Sequence, residues 1–558
     1  MIVNNQVYLN QKSNYQVKNQ NVTQNSQKVH QSQSAITFKS LMLRYQKVTH
    51  VIMDGVGISG SKTKNPLLNH MPYLKSLMDG KNNNVLFRAI EAAGEYIGLD
   101  KDEPGNSEAG HGVTGTGRNI EQSMVRIDNM ISDGSFFKNP EFLHAMEHAK
   151  KNNSTLHILC SIGYSHTHSK MEHIEALIKM ARENGVEKLE AHAFLNGDGP
   201  TSNTSLEYVD RLDNILSKNG YPEISSLIGR GIALDKSGNA RKTEIGYKML
   251  IDGSNAVHTG KIRDGLVKSL NEGNAGVNLP PIVKENSSRI QDNDAVIFAN
   301  YRTDRPKALT AALAFKDSNF QFLKNYKRPQ NLCFVTMTEY DPIFNLPVAL
   351  KTPTYEGTLK EEMLANGFFV TTCAQKEKHS HVTFFYNGSK DIRGENIEDI
   401  KLPGCTDPEL LSQSLKEQVD VLKNEMSIHK HKKHFIIANL ANGDIIGHKG
   451  NYDLGAKAAV DLDNALKELV ETSIKEGYAM VITADHGNIE DATTTKHTSN
   501  PVPCIIVLPK DEEAIKYGMI KLSKDAQAAL RDVAPTILDI TGYRKNKYMT
   551  GKSLLLEG

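Results

Sequence analysis

No stretch of this chain stays apolar for the roughly 20 residues that a membrane-spanning helix requires, so neither a span nor a membrane partner is expected. Excess charge is missing as well. The 66 basic side chains stand against 65 acidic ones, for a formal charge of +1. That balance provides no broad basic surface for nucleic acid or acidic lipid. Paired cysteines are absent too: Cys160, Cys333, Cys373, Cys405 and Cys504 are scattered singly, with no CxxC pair. Such a set suits small core residues in a reducing compartment better than a disulfide framework, and the expected location is cytoplasmic. Acidic residues are lacking before Asp54, in a region rich in Asn, Gln and Ser. Residues 1–45 carry too few apolar groups to offset their ordering entropy, so a disordered extension is expected there. An acid-free, Ser-containing start also suits an organelle transit peptide. A single arginine, Arg44, and poor amphipathic periodicity favour a plain low-complexity extension instead.

What the chain does have is length and alternation. Its 558 residues exceed what one core usually organises, so two or more domains are expected. Short apolar runs at 50–53, 156–160, 189–195, 295–299, 332–337, 435–440 and 479–483 read as buried strands. Segments such as 171–184 and 454–475 carry helical spacing between them. This alternation predicts an α/β fold with largely parallel sheets.

The chemistry lies just past the strand ends. Run 50–53 ends at Asp54-Gly55, run 435–440 leads to Asp444-Ile445-Ile446-Gly447-His448, and run 479–483 leads to Asp485-His486-Gly487-Asn488. Charged side chains are costly inside buried strands but sit readily in carboxyl-end loops, where open α/β sheets bind ligands. A lone Asp-His pair is commonly a helix cap, and Asp444 with His448 at i,i+4 is commonly a solvated helix face. Taken together, and with His497, they make a ligand set of oxygen and imidazole donors suited to Mn²⁺, Mg²⁺, Fe²⁺ or Zn²⁺. A second feature is Pro104-Gly105-Asn106-Ser107-Glu108-Ala109-Gly110-His111-Gly112. A serine between a glycine-rich turn and a helix start is often an N-cap. Beside two metal ions it becomes a candidate nucleophile whose alkoxide a cation stabilises. A third feature is basic: Arg302 and Arg305 lie beyond run 295–299, Arg230 adjoins Gly229, and His166 and His168 lie beyond run 156–160. Arginine forks bind carboxylate and phosphate in two-point fashion.

These strings, together with His497-Thr498-Ser499-Asn500-Pro501, Asn300-Tyr301-Arg302-Thr303-Asp304-Arg305 and Lys378-His379-Ser380-His381, are similar to the cofactor-independent phosphoglycerate mutases of the alkaline phosphatase superfamily. The matches run in family order from about residue 48 to the carboxyl terminus. The resemblance implies two α/β domains. A discontinuous metal-binding domain would comprise residues 46–120 and 355–558, and an inserted substrate-binding transferase domain residues 121–354. The residues themselves ask for the same arrangement, because Asp54 and Ser107 can join Asp444, Asp485 and His497 only if the middle of the chain loops out. By resemblance, one metal is held by Asp444, His448 and His497, and the other by Asp54, Ser107, Asp485 and His486. Two divalent ions are implied, Mn²⁺ foremost, with no bisphosphoglycerate and with a monomeric enzyme acting on phosphoglycerate. Ser107 would carry a phosphoserine intermediate, and Lys378 would stabilise the glycerate oxygen. His166, Asp198, Arg230, Lys236, Arg302 and Arg305 would contact substrate.

Departures from the family pattern cluster in the substrate-binding half. The family reads His-Ala-Phe-Leu-Asp-Gly-Arg-Asp-Thr-Pro where this chain has His192-Ala193-Phe194-Leu195-Asn196-Gly197-Asp198-Gly199-Pro200. The arginine is lost, and its acidic neighbour falls on Gly199 or, with a one-residue deletion, on Asp198. Lys236 stands where an arginine is usual, keeping charge and losing the fork. Ile162 replaces an Asp. The residues admit three readings: the mutase, a metal-dependent phosphohydrolase or mutase of another small phosphorylated acid, and a silent paralogue that only binds.

Overall fold

The computed structural model describes residues 44–197, 202–326, 328–429 and 432–557. The expected disordered extension therefore lies outside the described residues, except at its end. Tyr45, counted with that extension, belongs to the fold. Its ring is buried, its N–H donates to the Ile540 carbonyl at 3.1 Å, and its hydroxyl accepts from Lys510 N at 2.8 Å. Two compact units make up the chain. Among the described residues, one contains those from 44 to 93 together with 104–118 and 356–557, and the other those of 94–103 and 119–355. Residues 94–103, expected in the first unit, pack with the second, because Gln122 N donates to Gly98 O and Asn119 Nδ2 to Glu95 O. No helix among the described residues is long and apolar enough to cross a membrane.

The first unit is built on a seven-stranded sheet. Its order is Ile397–Leu402, Phe369–Gln375, His434–Leu440, Lys47–Met53, Ala479–Thr483, Val502–Val507 and Val85–Ile90. The first five strands are mutually parallel, and Val502–Val507 runs antiparallel to both its neighbours. Nearly every residue of Lys47–Met53 and His434–Leu440 is buried, as expected of parallel strands covered on both faces. Helices Leu411–Ile428 and Tyr452–Glu476 supply part of that cover, with apolar residues at helical spacing such as Leu462, Leu466 and Leu469.

This order determines where the chemistry falls. Phe369–Gln375, His434–Leu440, Lys47–Met53 and Ala479–Thr483 are consecutive in the sheet, so their carboxyl ends line one edge at about 4.8 Å intervals. The register pairs Met53 with Leu440 and Ile52 with Thr483, which brings Asp54 level with Ala441 and Asp485. Because Val502–Val507 is antiparallel, the loop that enters it, containing His497, arrives at that same edge.

The second unit holds an eight-stranded, mostly parallel sheet. Leu156, Ile158 and Cys160 face one core, and Leu159 faces another. The same alternation holds for Leu189, Ala191 and Ala193 against Phe194. Every run read as a strand from the sequence is one, with ends shifted by at most three residues.

Candidate active site

Each functional side chain of the first unit leaves a strand or helix end. Asp54 comes directly after Lys47–Met53, Lys378 lies just beyond Phe369–Gln375, and Asp485 and His486 lie just beyond Ala479–Thr483. Asp444 lies in the short helix Asn442–Gly447, and His448 caps its carboxyl end. Gly55 adopts φ +75°, and a Cβ there would lie 2.7 Å from Asp444 Cα, so only glycine lets these two loops approach. Ser107 is the first residue of helix Ser107–Thr116. The N-cap is Asn106, whose side chain accepts from Ala109 N at 2.9 Å. Capping is thus done by the neighbour, and Ser107 Oγ is left for other partners.

Those partners are charged. Lys378 Nζ donates to Asp54 Oδ1 at 2.7 Å, to Ser107 Oγ at 2.8 Å and to Asp444 Oδ2 at 2.8 Å. Ser107 Oγ also lies 3.0 Å from His486 Nε2. Three carboxylates are buried together here, and their surroundings separate them. Burial and the charge of Asp485 push the Asp54 carboxyl up. Burial acts on Asp444 in the same sense but is outweighed by His497 and Lys378, which hold it well below the usual carboxylate range. Asp485 is likewise held low, burial losing to His486 and His111. The Lys378 ammonium is buried as well, yet Asp54 and Asp444 keep it above its ordinary value.

The imidazoles show what the site is shaped to hold. His448 Nδ1 donates to the Thr495 carbonyl and His497 Nδ1 to the Gly105 carbonyl, each at 2.8 Å. In the neutral rings both Nε2 atoms then present lone pairs. They face each other at 3.2 Å, and they face Asp444 Oδ1 at 3.3 and 3.2 Å. Three electron pairs converging on one point require a positive charge there. Burial opposes a proton on His497, and the bond to Asp444 outweighs it and raises that ring. One carboxylate and two imidazoles, each oriented by a carbonyl, are the donor set of a divalent cation. Beside it, His486 Nε2 lies 3.3 Å from Asp485 Oδ2 and 3.7 Å from Asp54 Oδ1. Asp485 Oδ2 is buried without a hydrogen bond, as a ligand atom awaiting a cation would be. The donors fit divalent cations.

Four further residues of this site were not singled out from sequence. His111 Nδ1 donates to Ser107 O at 2.8 Å, and its Nε2 accepts from Asn439 Nδ2 at 3.0 Å. Asn439 Nδ2 also donates to Asp54 Oδ2 at 2.6 Å. Asn488 Nδ2 donates to Asp444 Oδ1 at 2.9 Å, and Glu490 receives hydrogen bonds from several loops. His111 and Asn488 lie inside strings quoted from the sequence without a role assigned to them, and Asn439 inside the apolar run 435–440 was a further signal, since a buried amide needs a partner.

The basic residues gather in the second unit. Arg230 Nη1 donates to His168 Nε2 at 3.1 Å; burial and the charge of Arg230 push that histidine down to about 3, which keeps it a neutral acceptor. Arg302 Nε lies 3.2 Å and Lys236 Nζ 3.8 Å from opposite oxygens of Asp304, and Arg305 Nη1 donates to Leu234 O at 3.3 Å. His166 is exposed, and its carbonyl accepts from the Tyr301 hydroxyl. Asp198 lies outside the described residues. His192, which opens the divergent loop motif, points into the sheet, bonding His157 at 2.9 Å and Ser226 Oγ at 2.8 Å.

Fold and site together define an α/β protein with a serine set among carboxylate and imidazole donors for divalent cations. Residues 127–342 match the family model described as the BPG-independent PGAM N-terminus. The chain is 33% identical over 524 residues to 2,3-bisphosphoglycerate-independent phosphoglycerate mutase 1 of Methanosarcina barkeri, covering 91% of this chain and 98% of that one. It is 34% identical over 479 residues to the corresponding mutase of Listeria welshimeri, covering 84% and 91%. In structure it is similar to Leishmania mexicana phosphoglycerate mutase crystallised at low cobalt concentration, with TM-score 0.72, 24% identity and coverage of 93% and 99%. The chain belongs to the family of 2,3-bisphosphoglycerate-independent phosphoglycerate mutases.

Proposed function

We propose that this enzyme interconverts 3-phosphoglycerate and 2-phosphoglycerate through a phosphoserine, without bisphosphoglycerate. The observation that carries the reading is Ser107 Oγ, bonded to Lys378 Nζ at 2.8 Å beside the donor clusters Asp444–His486–His497 and Asp54–His111–Asp485. Asp444, His448 and His497 would hold one divalent ion, and Asp54, Ser107, Asp485 and His486 the other, with Mn²⁺ the first choice for this mixture of oxygen and imidazole ligands. Bound there, the ions supply the positive charge that neutralises phosphoryl oxygens and favours the Ser107 alkoxide. With its hydroxyl proton released to solvent as the cations bind, Ser107 Oγ would attack phosphorus in line, its bond to phosphorus forming as the bond to the glycerate oxygen breaks. Lys378 Nζ gives that oxygen a proton and recovers one from the hydroxyl that later attacks the phosphoserine. Arg230, Arg302 and Arg305 are the carboxylate-binding forks in this reading, with His166, Asp198 and Lys236 as further substrate contacts.

The test is conversion of 3- to 2-phosphoglycerate with no bisphosphoglycerate added, monitored beside release of free phosphate. Isomer should form without phosphate. Phosphate release without isomer would establish a phosphohydrolase instead. Exhaustive chelation should lower the rate at least about a hundredfold, and Mn²⁺ should restore it. Arg230→Ala and Arg302→Ala should each raise KM about 10- to 100-fold, the scale of one lost charge-assisted hydrogen bond. Unchanged KM in both would remove these residues from the substrate site.

A further inference from the structure

Glu490 lies in none of the ligand sets, yet it is 1% exposed and fully engaged. Its Oε2 accepts from Gly57 N at 3.0 Å and from Asn488 N at 2.8 Å. Its Oε1 accepts from Thr498 Oγ1 and from Asn500 Nδ2, the latter at 2.9 Å. These donors come from two connections, the one after Lys47–Met53 and the one between Ala479–Thr483 and Val502–Val507, in which Glu490 itself lies. Gly57 is three residues beyond Asp54, Asn488 two beyond His486, and Thr498 adjoins His497. Asn488 carries the connection further, because its side chain bonds Asp444. The packing is arranged around this carboxylate. A Cβ on Gly57 or on Gly487 would fall 2.3 Å from Glu490 Oε1, so both positions need glycine for close approach.

We infer that Glu490 is the positioning residue that braces the ligands of both metal ions at once, holding the loop after Asp54 against the two arms of the loop that carries Asp485–His486 and His497. This rests on the two-ion reading of the site. The four donors differ in a way that makes the role separable from charge. The N–H groups of Gly57 and Asn488 cannot reverse, whereas the Thr498 hydroxyl can rotate and the Asn500 amide can flip. A glutamine therefore fits, its carbonyl oxygen toward the backbone donors and its amide toward Thr498 and Asn500. An aspartate keeps the charge but is one methylene too short to reach all four donors.

Metal-free wild-type, E490Q, E490D and E490A proteins should be titrated with Mn²⁺ by calorimetry, with circular dichroism confirming each fold. Wild type should bind two ions, which separately tests the two-ion reading; fewer than two would overturn that reading and this inference with it. E490Q should retain both affinities within about fivefold, while E490D and E490A should lose about 10- to 100-fold at both sites. Should E490A fail to fold, the contrast between Gln and Asp decides. Wild-type affinities in E490D, or a fall in E490Q as deep as in E490D, would overturn the bracing role.

Discussion

Ser107→Ala should lower phosphoglycerate interconversion by about 10⁴-fold or more, the scale found when an activated nucleophile is removed. The substitution deletes one atom and little else. Asn106 still caps the helix, and alanine at its first turn is at least as good a helix former as serine, so stability should stay within about 1 kcal/mol. Lys378 keeps its bonds to Asp54 and Asp444, and His486 stays beside Asp485. Loss of activity would therefore report the missing oxygen rather than a collapsed site. Two measurements check it: the coupled assay for 2-phosphoglycerate, and mass spectrometry of acid-quenched enzyme, where wild type incubated with substrate should carry a phosphoryl group on Ser107 and the variant none. Retention of activity within tenfold would end the phosphoserine mechanism.

Asp54, Asp444 and Asp485–His486 were legible because each follows the end of an apolar run, and charge at a strand end is conspicuous against a buried strand. Ser107 was legible only through its neighbours, since an N-cap serine has the same local sequence. The structure resolves that ambiguity by giving the cap to Asn106. Strand Phe369–Gln375, which delivers Lys378, was hidden by its polar interior. Thr371 Oγ1 bonds His434 Nε2 at 2.9 Å, Thr372 Oγ1 donates to Asp399 at 2.6 Å and Gln375 Nε2 to Ser414 at 2.9 Å, so partnered polar groups dilute the apolar signal of a buried strand. Strand Val502–Val507 was masked by Pro503. The proline is tolerated because Ala479–Thr483 pairs only with residues 505–507, leaving 503 a single strand neighbour. Glu490 gave no signal at all. The role inferred for it depends on Gly57, distant in sequence, meeting the 488–500 loop at one carboxylate, which no local pattern records.

Lys378→Met should separate the two states of this enzyme more sharply than any ligand substitution. In the metal-free protein the ammonium is the cation between Asp54 Oδ1 and Asp444 Oδ2, at 2.7 and 2.8 Å, and all three groups are buried. Removing one partner of such a cluster leaves uncompensated buried charge, a loss of about 3–5 kcal/mol. Divalent ions bring positive charge to the same carboxylates, so Mn²⁺ should recover most of that stability. The variant should also bind Mn²⁺ at least as tightly as wild type, because a competing positive charge is gone. Activity should take the opposite course. With both ions bound, kcat should fall about 10²- to 10⁴-fold, since no ammonium remains to share charge with Ser107 Oγ or to protonate the glycerate oxygen. Urea unfolding with and without Mn²⁺, beside the coupled assay, measures both halves. Equal destabilisation in the two metal states would show that Lys378 matters to the scaffold rather than to the charge balance between these two carboxylates.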